Sequence, residues 1–243
     1  MLIATGSKPA KMNIPGGEEH IITSDQFLEL DELPPNIAFI GGGYISFEFA
    51  YIAARAGTKV TILHHGKRPL AKFDPDLVDM LLKRTRELGI DVQLQTEVKA
   101  INKTASSTLG NNDNSNLIVH TSSIDGRENT IETNMVVHGA GRVPEIEVLN
   151  LQAAGIEYDQ HGGIKVNEYL QSISNPAVYA AGDAAVASGG LPLTPVAGYH
   201  GQIVASNLLE GNNHLRPHYR GIPSVVFTIP PLASVSLQEK TVK

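Results

Sequence analysis

The sequence predicts an α/β fold, and three observations carry that prediction. A short apolar strand, Ile37-Ala38-Phe39-Ile40, runs straight into the glycine triplet Gly41-Gly42-Gly43. A helical stretch over residues 44–56 follows, stops at Gly57, and gives way to a second strand over 59–63. Further apolar runs, at 90–94 and at Met135-Val136-Val137-His138, supply more buried strands, the latter ending in Gly139-Ala140-Gly141. Strands alternating with a helix, with glycine at the strand ends, form the pattern of a Rossmann-like parallel sheet.

The remaining elements follow in chain order. Met1 to Gly6 reads as an apolar strand that opens in mid-sheet, with no hairpin partner before it. Residues 7–35 are loop-rich; Ser24-Asp25 is expected to cap a short helix to about Leu30, and Pro34-Pro35 punctuates the chain. Asp74-Pro75 opens another helix, with Leu77, Leu81, Leu82 and Leu88 as its apolar stripe and Gly89 as its stop. Strands over 97–102, 117–124 and 129–133 are expected to pair antiparallel, with Asp125-Gly126 turning the last hairpin. Thr104 to Asn116, rich in Ser, Asn and Gly, reads as a mobile surface loop. Residues 145–175 hold short strands and turns. Residues 177–181 form a strand that ends in Gly182-Asp183. Thr194-Pro195 caps a helix running to about Leu209, and residues 224–228 form a last strand before Pro230-Pro231.

Composition narrows the function classes. A net charge of -6 and a pI near 5.8 argue against a nucleic-acid surface. No apolar run reaches the roughly 18 residues that a membrane span requires, and no basic-then-apolar leader follows Met1. The chain has no cysteine, which excludes disulfides, thiolate metal sites and a cysteine nucleophile within it. A cytoplasmic location is the expectation that fits.

The glycine triplet lies after a strand and opens a helix, the context a dinucleotide-binding turn needs. Gly41 allows the tight turn, and Gly43 lets a pyrophosphate approach the backbone. The helix N-terminus, at Tyr44 and Ile45, presents free N–H groups and a partial positive charge to that anion. Ser46 stands where a third glycine would pack helix on strand. The second strand ends in His64-His65-Gly66-Lys67-Arg68, with no acid to hold the ribose hydroxyls of NAD. His64, His65, Lys67 and Arg68 are the candidate NADP residues of this stretch: Lys67 and Arg68 attract a 2′-phosphate, so NADP is favoured over NAD. The paired histidines lack a third ligand, so no metal is assigned. Gly182-Asp183 reads equally as a ligand acceptor or an Asx turn. Tyr44 and Glu48 share a helix face at i and i+4, though a helix with Phe47 and Phe49 also reads as core.

Seven stretches, in this order and spacing, resemble the pyridine nucleotide-disulfide oxidoreductases, glutathione reductase above all, with dihydrolipoamide dehydrogenase and mercuric reductase as relatives. They are Ile3-Ala4-Thr5-Gly6, Gly41 to Glu48, Phe73-Asp74, Gly141-Arg142-Val143-Pro144, Ala181-Gly182-Asp183, Leu193-Thr194-Pro195-Val196 and Val225-Val226-Phe227. The resemblance implies a Rossmann-like NAD(P)-binding domain over 13–140, inserted in an FAD-binding domain whose segments are 1–12 and 141–215. Residues 216–243 would begin a C-terminal dimerisation domain.

The resemblance also assigns roles. Thr5, Gly6, Gly182 and Asp183 would lie at FAD, with Asp183 accepting from the ribityl chain and the helix start at Thr194 facing the flavin. Tyr44 resembles the ring that covers the flavin and swings aside for the nicotinamide, and Glu48 resembles the carboxylate beside it. Gly141 and Arg142 would lie beside NADP at the domain crossover.

The family's first fingerprint, its redox Cys pair and its C-terminal His-Glu pair have no counterpart here. The expectation is therefore a fragment lacking both ends, with no catalytic residue of its own and inactive alone. Its parent would be a homodimer passing hydride from NADPH to FAD and electrons to a disulfide or other small acceptor. A non-enzymatic NADP(H)-binding module is the alternative.

Overall fold

The computed structural model describes residues 1–104, 117–187, 191–211 and 213–235. The loop expected over Thr104 to Asn116 lies, after its first residue, outside the described residues. The chain divides into two compact units. One comprises Met1–Ala10 and Arg142–Ser224, the other Lys11–Gly141 and Val225–Lys243.

The second unit is built on a five-stranded parallel sheet. Its spatial order is Ile21–Ile22, Met135–His138, Asn36–Ile40, Lys59–His64, Asp91–Leu94. From Asn36–Ile40 the chain steps outward through the next two strands, then returns through Met135–His138 on the opposite side. The strand order therefore reverses beside the glycine triplet, and ligands of open α/β sheets bind at such a reversal.

Side chains of the central strand alternate between two cores. Ile37 and Phe39 pack with Val60, Ile62 and Val137 against helices Tyr44–Arg55 and Pro75–Glu87. Ala38 and Ile40 pack with Leu63 and Val136 against a three-stranded antiparallel sheet, Thr96–Lys103, Leu117–Ser123 and Glu128–Thr133. A sheet covered on both faces needs unbroken apolar strands, which is why these runs read clearly. Each fully buried Phe or Ile contributes on the order of 1.5–3 kcal/mol.

Two expectations in this unit need correction. Helix Pro75–Glu87 buries Val78, Leu81, Leu82 and Thr85, while Leu77 is exposed. The facing set follows the helical i, i+3, i+4, i+7 spacing, and Leu77 falls one residue off it. The short helix spans Ser24–Leu28, and Thr23 rather than Ser24 or Asp25 caps it. The Thr23 side chain accepts from Gln26 N–H, and the Gln26 side chain accepts from Thr23 N–H. Asp74 does cap its helix, accepting from Asp76 N–H at 3.0 Å.

In the first unit, Leu2–Ile3 pairs in parallel with Tyr179–Ala180. This opening strand is shorter than expected: Ile3 is buried and Leu2 exposed. Ser7–Pro9 pairs antiparallel with Arg142–Pro144. A small sheet joins Tyr158–Asp159, Gly163–Lys165 and Ala185–Val186. Helix Thr194–Leu209 starts with Leu193 at its N-cap, so Thr194 is the first helical residue and not a cap. Among the described residues, no helix is long and apolar enough to cross a membrane.

Candidate functional site

The glycine turn sits where two parallel strands end side by side. Gly139 N–H donates to Ile40 O at 2.7 Å, and Gly41 N–H donates to Leu63 O at 2.8 Å. Gly41 has φ +115, and a Cβ there would meet Gly139 O at 2.2 Å. A Cβ at Gly42 would meet the His64 ring at 2.7 Å and Pro69 at 2.8 Å. The fold's own atoms therefore demand both glycines. Gly43 differs: its φ is -97, and the nearest atom to an added Cβ is Gly139 O at 3.6 Å. The protein leaves room for a side chain there, so its own packing does not require this glycine.

Helix Tyr44–Arg55 begins at this turn with no side chain capping it. Its first-turn N–H groups, including those of Ile45 and Ser46, have no acceptor within the helix. Ser46 is fully buried against Gly139, and its hydroxyl has no partner among the described residues. The Ile45 side chain packs on the core, so it would meet a ligand through its backbone. Phe47 and Phe49 are core, whereas Tyr44 and Glu48 are half-buried. The Tyr44 ring lies 5.7 Å from that of Phe73. Glu48 Oε1 accepts from Phe227 N–H at 2.9 Å.

The basic loop is tied to this turn. Leu70 N–H donates to Gly42 O at 2.8 Å, and His64 Nε2 bonds to Arg68 O at 3.1 Å. His64 is held below the usual imidazole range, first by burial and also by neighbouring His65, against an opposing effect of the Arg68 carbonyl. Its Nδ1 and the Arg68 Nε are buried without partners among the described residues. Lys67 is exposed. His65 is exposed too and lines a cleft of about 540 Å³ with Gly41, Leu63, Gln95 and Ala140. A cavity of similar size, about 570 Å³, lies on the outer face of helix Pro75–Glu87 between Asp79 and Glu87, away from every residue with assigned chemistry.

A second cluster forms in the other unit, at the ends of the paired strands Leu2–Ile3 and Tyr179–Ala180. Thr5 and Gly6 follow one strand, and the turn Gly182–Ala184 follows the other. Ser7 Oγ donates to Asp183 Oδ2 at 2.8 Å. Arg142 Nε donates to Ser7 Oγ at 3.0 Å, and its Nη2 donates to Ser7 O at 2.5 Å. Arg142, assigned from sequence to the dinucleotide, thus bonds into the cluster that carries Asp183. Gly141 is exposed. Helix Thr194–Leu209 packs against the turn, with Ala197 Cβ 3.1 Å from an added Cβ on Gly182.

The helices assigned to cofactors share one feature. Of the four helices of five residues or more among the described residues, Ser24–Leu28 and Pro75–Glu87 have side-chain caps. Helices Tyr44–Arg55 and Thr194–Leu209 have none. Sequence reasoning missed Ser7 and the Phe227 N–H, since each bonds a partner distant in sequence. No group of three His, Cys, Asp or Glu side chains among the described residues could hold a metal ion.

Comparison with known proteins places these features in context. The family model described as pyridine nucleotide-disulphide oxidoreductase matches residues 1–201. The chain is 35% identical to a mercuric reductase of Staphylococcus aureus over 243 residues, all of this chain and 42% of that protein. It is 36% identical to a glutathione reductase of Burkholderia cepacia over 239 residues, 98% of this chain and 49% of that protein. The chain thus spans less than half the length of these two relatives. The solved Cu(II) complex of RclA, an HOCl-induced flavoprotein disulfide reductase of Escherichia coli, matches with a TM-score of 0.84 and 28% identity. That match covers 99% of this chain and 52% of that one.

Proposed function

The chain belongs to the pyridine nucleotide-disulphide oxidoreductase family, and from that premise we propose that it binds NADPH and part of FAD in an oxidoreductase that reduces a disulfide or similar small acceptor. The observation that carries the nucleotide assignment is the contrast within the glycine triplet. Gly41 and Gly42 are needed by the protein's own packing, while Gly43 is not. A bare backbone at an uncapped helix start suits a pyrophosphate, whose charge the N–H groups and the helix dipole stabilise.

The basic loop sets the choice between NADPH and NADH. Lys67 and Arg68 follow the second strand, and the ties from Gly42 to Leu70 and from His64 to Arg68 hold that loop beside the turn. Cations there favour the extra phosphate of NADPH, and residues 64–68 include no acid to repel it. Arg68 brings a planar donor fork, one of whose donors is buried without a partner.

FAD, when bound, supplies the two-electron carrier between the nicotinamide and the acceptor. Asp183 would hold its ribityl chain, with Thr5 and Gly6 beside it. The uncapped start of helix Thr194–Leu209 would favour negative charge on the pyrimidine side of the ring. Ser7 and Arg142 keep Asp183 oriented for that role. Tyr44 would cover the nicotinamide site and move aside when NADPH enters, and Glu48 would orient the carboxamide. The parent is read as a cytoplasmic homodimer, and this chain by itself as unable to turn over an acceptor.

Replacing Lys67 and Arg68 together by Ala tests the nucleotide choice. The double variant should bind NADPH at least about tenfold more weakly, a loss of about 1.4 kcal/mol, with NADH affinity nearly unchanged. Equal losses for both nucleotides, measured by fluorescence titration, would remove the 2′-phosphate assignment.

A further inference from the structure

We propose that His200 is a positioning residue for the turn that carries Asp183, acting on it through the N–H of Gly182. The inference rests on the assignment of Asp183 to FAD. His200 lies in helix Thr194–Leu209 and is 2% exposed. Gly182 N–H donates to its Nδ1 at 3.2 Å, and its Nε2 lies 2.7 Å from the Tyr219 hydroxyl. A backbone N–H can only donate, so Nδ1 is bare and Nε2 carries the proton. Nε2–H therefore donates to Tyr219, and one tautomer spans the two partners.

The surroundings keep the pair neutral. Burial holds His200 below the usual imidazole range and pushes Tyr219 up to about 12. A charged imidazole would present N–H against N–H at Gly182 and lose that bond. Gly182 itself has φ +65 and sits at the start of the three-residue turn Gly182–Ala184. The direction of its N–H sets the Ala181–Gly182 peptide plane, where the chain enters the turn that carries Asp183. Asp183 is held directly at its carboxylate by Ser7, and the turn that begins one residue before it is held by His200. An apolar side chain could fill the same volume without polar partners. The histidine is explained by the bonds that it makes on opposite edges of its ring.

Two substitutions separate these bonds, because Asn carries an oxygen near the Nδ1 position and Gln an amide near the Nε2 position. The full-length protein, stripped of flavin, is titrated with FAD as wild type, His200→Asn, His200→Gln and His200→Leu. The Asn variant should stay within about threefold of wild-type FAD affinity. The Gln and Leu variants should lose roughly tenfold or more, the scale of one hydrogen bond. Tyr219→Phe should fall between, since it frees the ring to tilt. Equal behaviour of Asn and Gln, or wild-type affinity in Leu, would reduce His200 to packing and overturn the proposal. Should the Leu variant not fold, the Asn and Gln pair decides. A wild-type protein that shows no flavin spectrum with FAD would overturn the assignment of Asp183 itself, and the proposal with it, before any variant is compared.

Discussion

His64 and His200 both sit below the usual imidazole range, and in both the first cause is burial. The sign of the consequence follows directly. A base whose folded pKa is depressed is neutral in both states above the ordinary value of about 6.5. As pH falls below that value the unfolded chain takes up the proton first, and stability is lost until the folded pKa is reached. Thermal midpoints measured from pH 8 down to pH 5 should therefore decline below about pH 6.5. His64→Gln, which keeps a donor to Arg68 O, should flatten that decline, and a slope identical to wild type would contradict a buried neutral His64. Residues at this scale were unevenly legible. Gly41, whose φ of +115 bears out the tight turn, announces itself by its place between strand and helix. Ser7 and His200 do not, because a serine in a loop and a histidine in a helix gain meaning through Asp183 and Gly182, at a distance no local pattern encodes.

Among the helices, the contrast between capped and uncapped starts has a measurable consequence. Asp74 caps helix Pro75–Glu87, so Asp74→Ala should cost about 1 kcal/mol of stability and leave NADPH affinity unchanged. Gly43 is the N-cap of its helix with an extended backbone that an Asp can adopt. Gly43→Asp should leave stability within a few tenths of a kcal/mol, and yet weaken NADPH binding by more than about tenfold through charge repulsion. Unfolding of that variant, seen by calorimetry, or unaltered NADPH binding would contradict the reading of Gly43 as the ligand's glycine. Most elements were legible because unbroken apolar runs mark strands covered on both faces, as in Ile37 to Ile40. The helix stripe was misread by one residue, since Leu77 is as apolar as Val78 and helical phase alone separates them. Thr194 was taken for a cap because Thr before Pro is the usual signal, whereas the helix starts one residue earlier in phase and leaves its end open.

Across the whole molecule, each unit carries its own cluster. The strand reversal at Asn36–Ile40 and Met135–His138 places the glycine turn, the basic loop and the cleft in one unit. The parallel pair Leu2–Ile3 and Tyr179–Ala180 brings Ser7, Asp183 and Arg142 together in the other. The order of the motifs along the chain made the family legible. The electron acceptor was not legible, since no cysteine and no acid/base pair in this chain speaks for one. The most direct test of the account is the visible absorption of the full-length, FAD-loaded protein mixed without oxygen with NADPH, and separately with NADH. The account predicts rapid loss of the oxidised flavin band with NADPH and a markedly slower loss with NADH. A flavin band that neither nucleotide bleaches would contradict the proposed hydride transfer at its root.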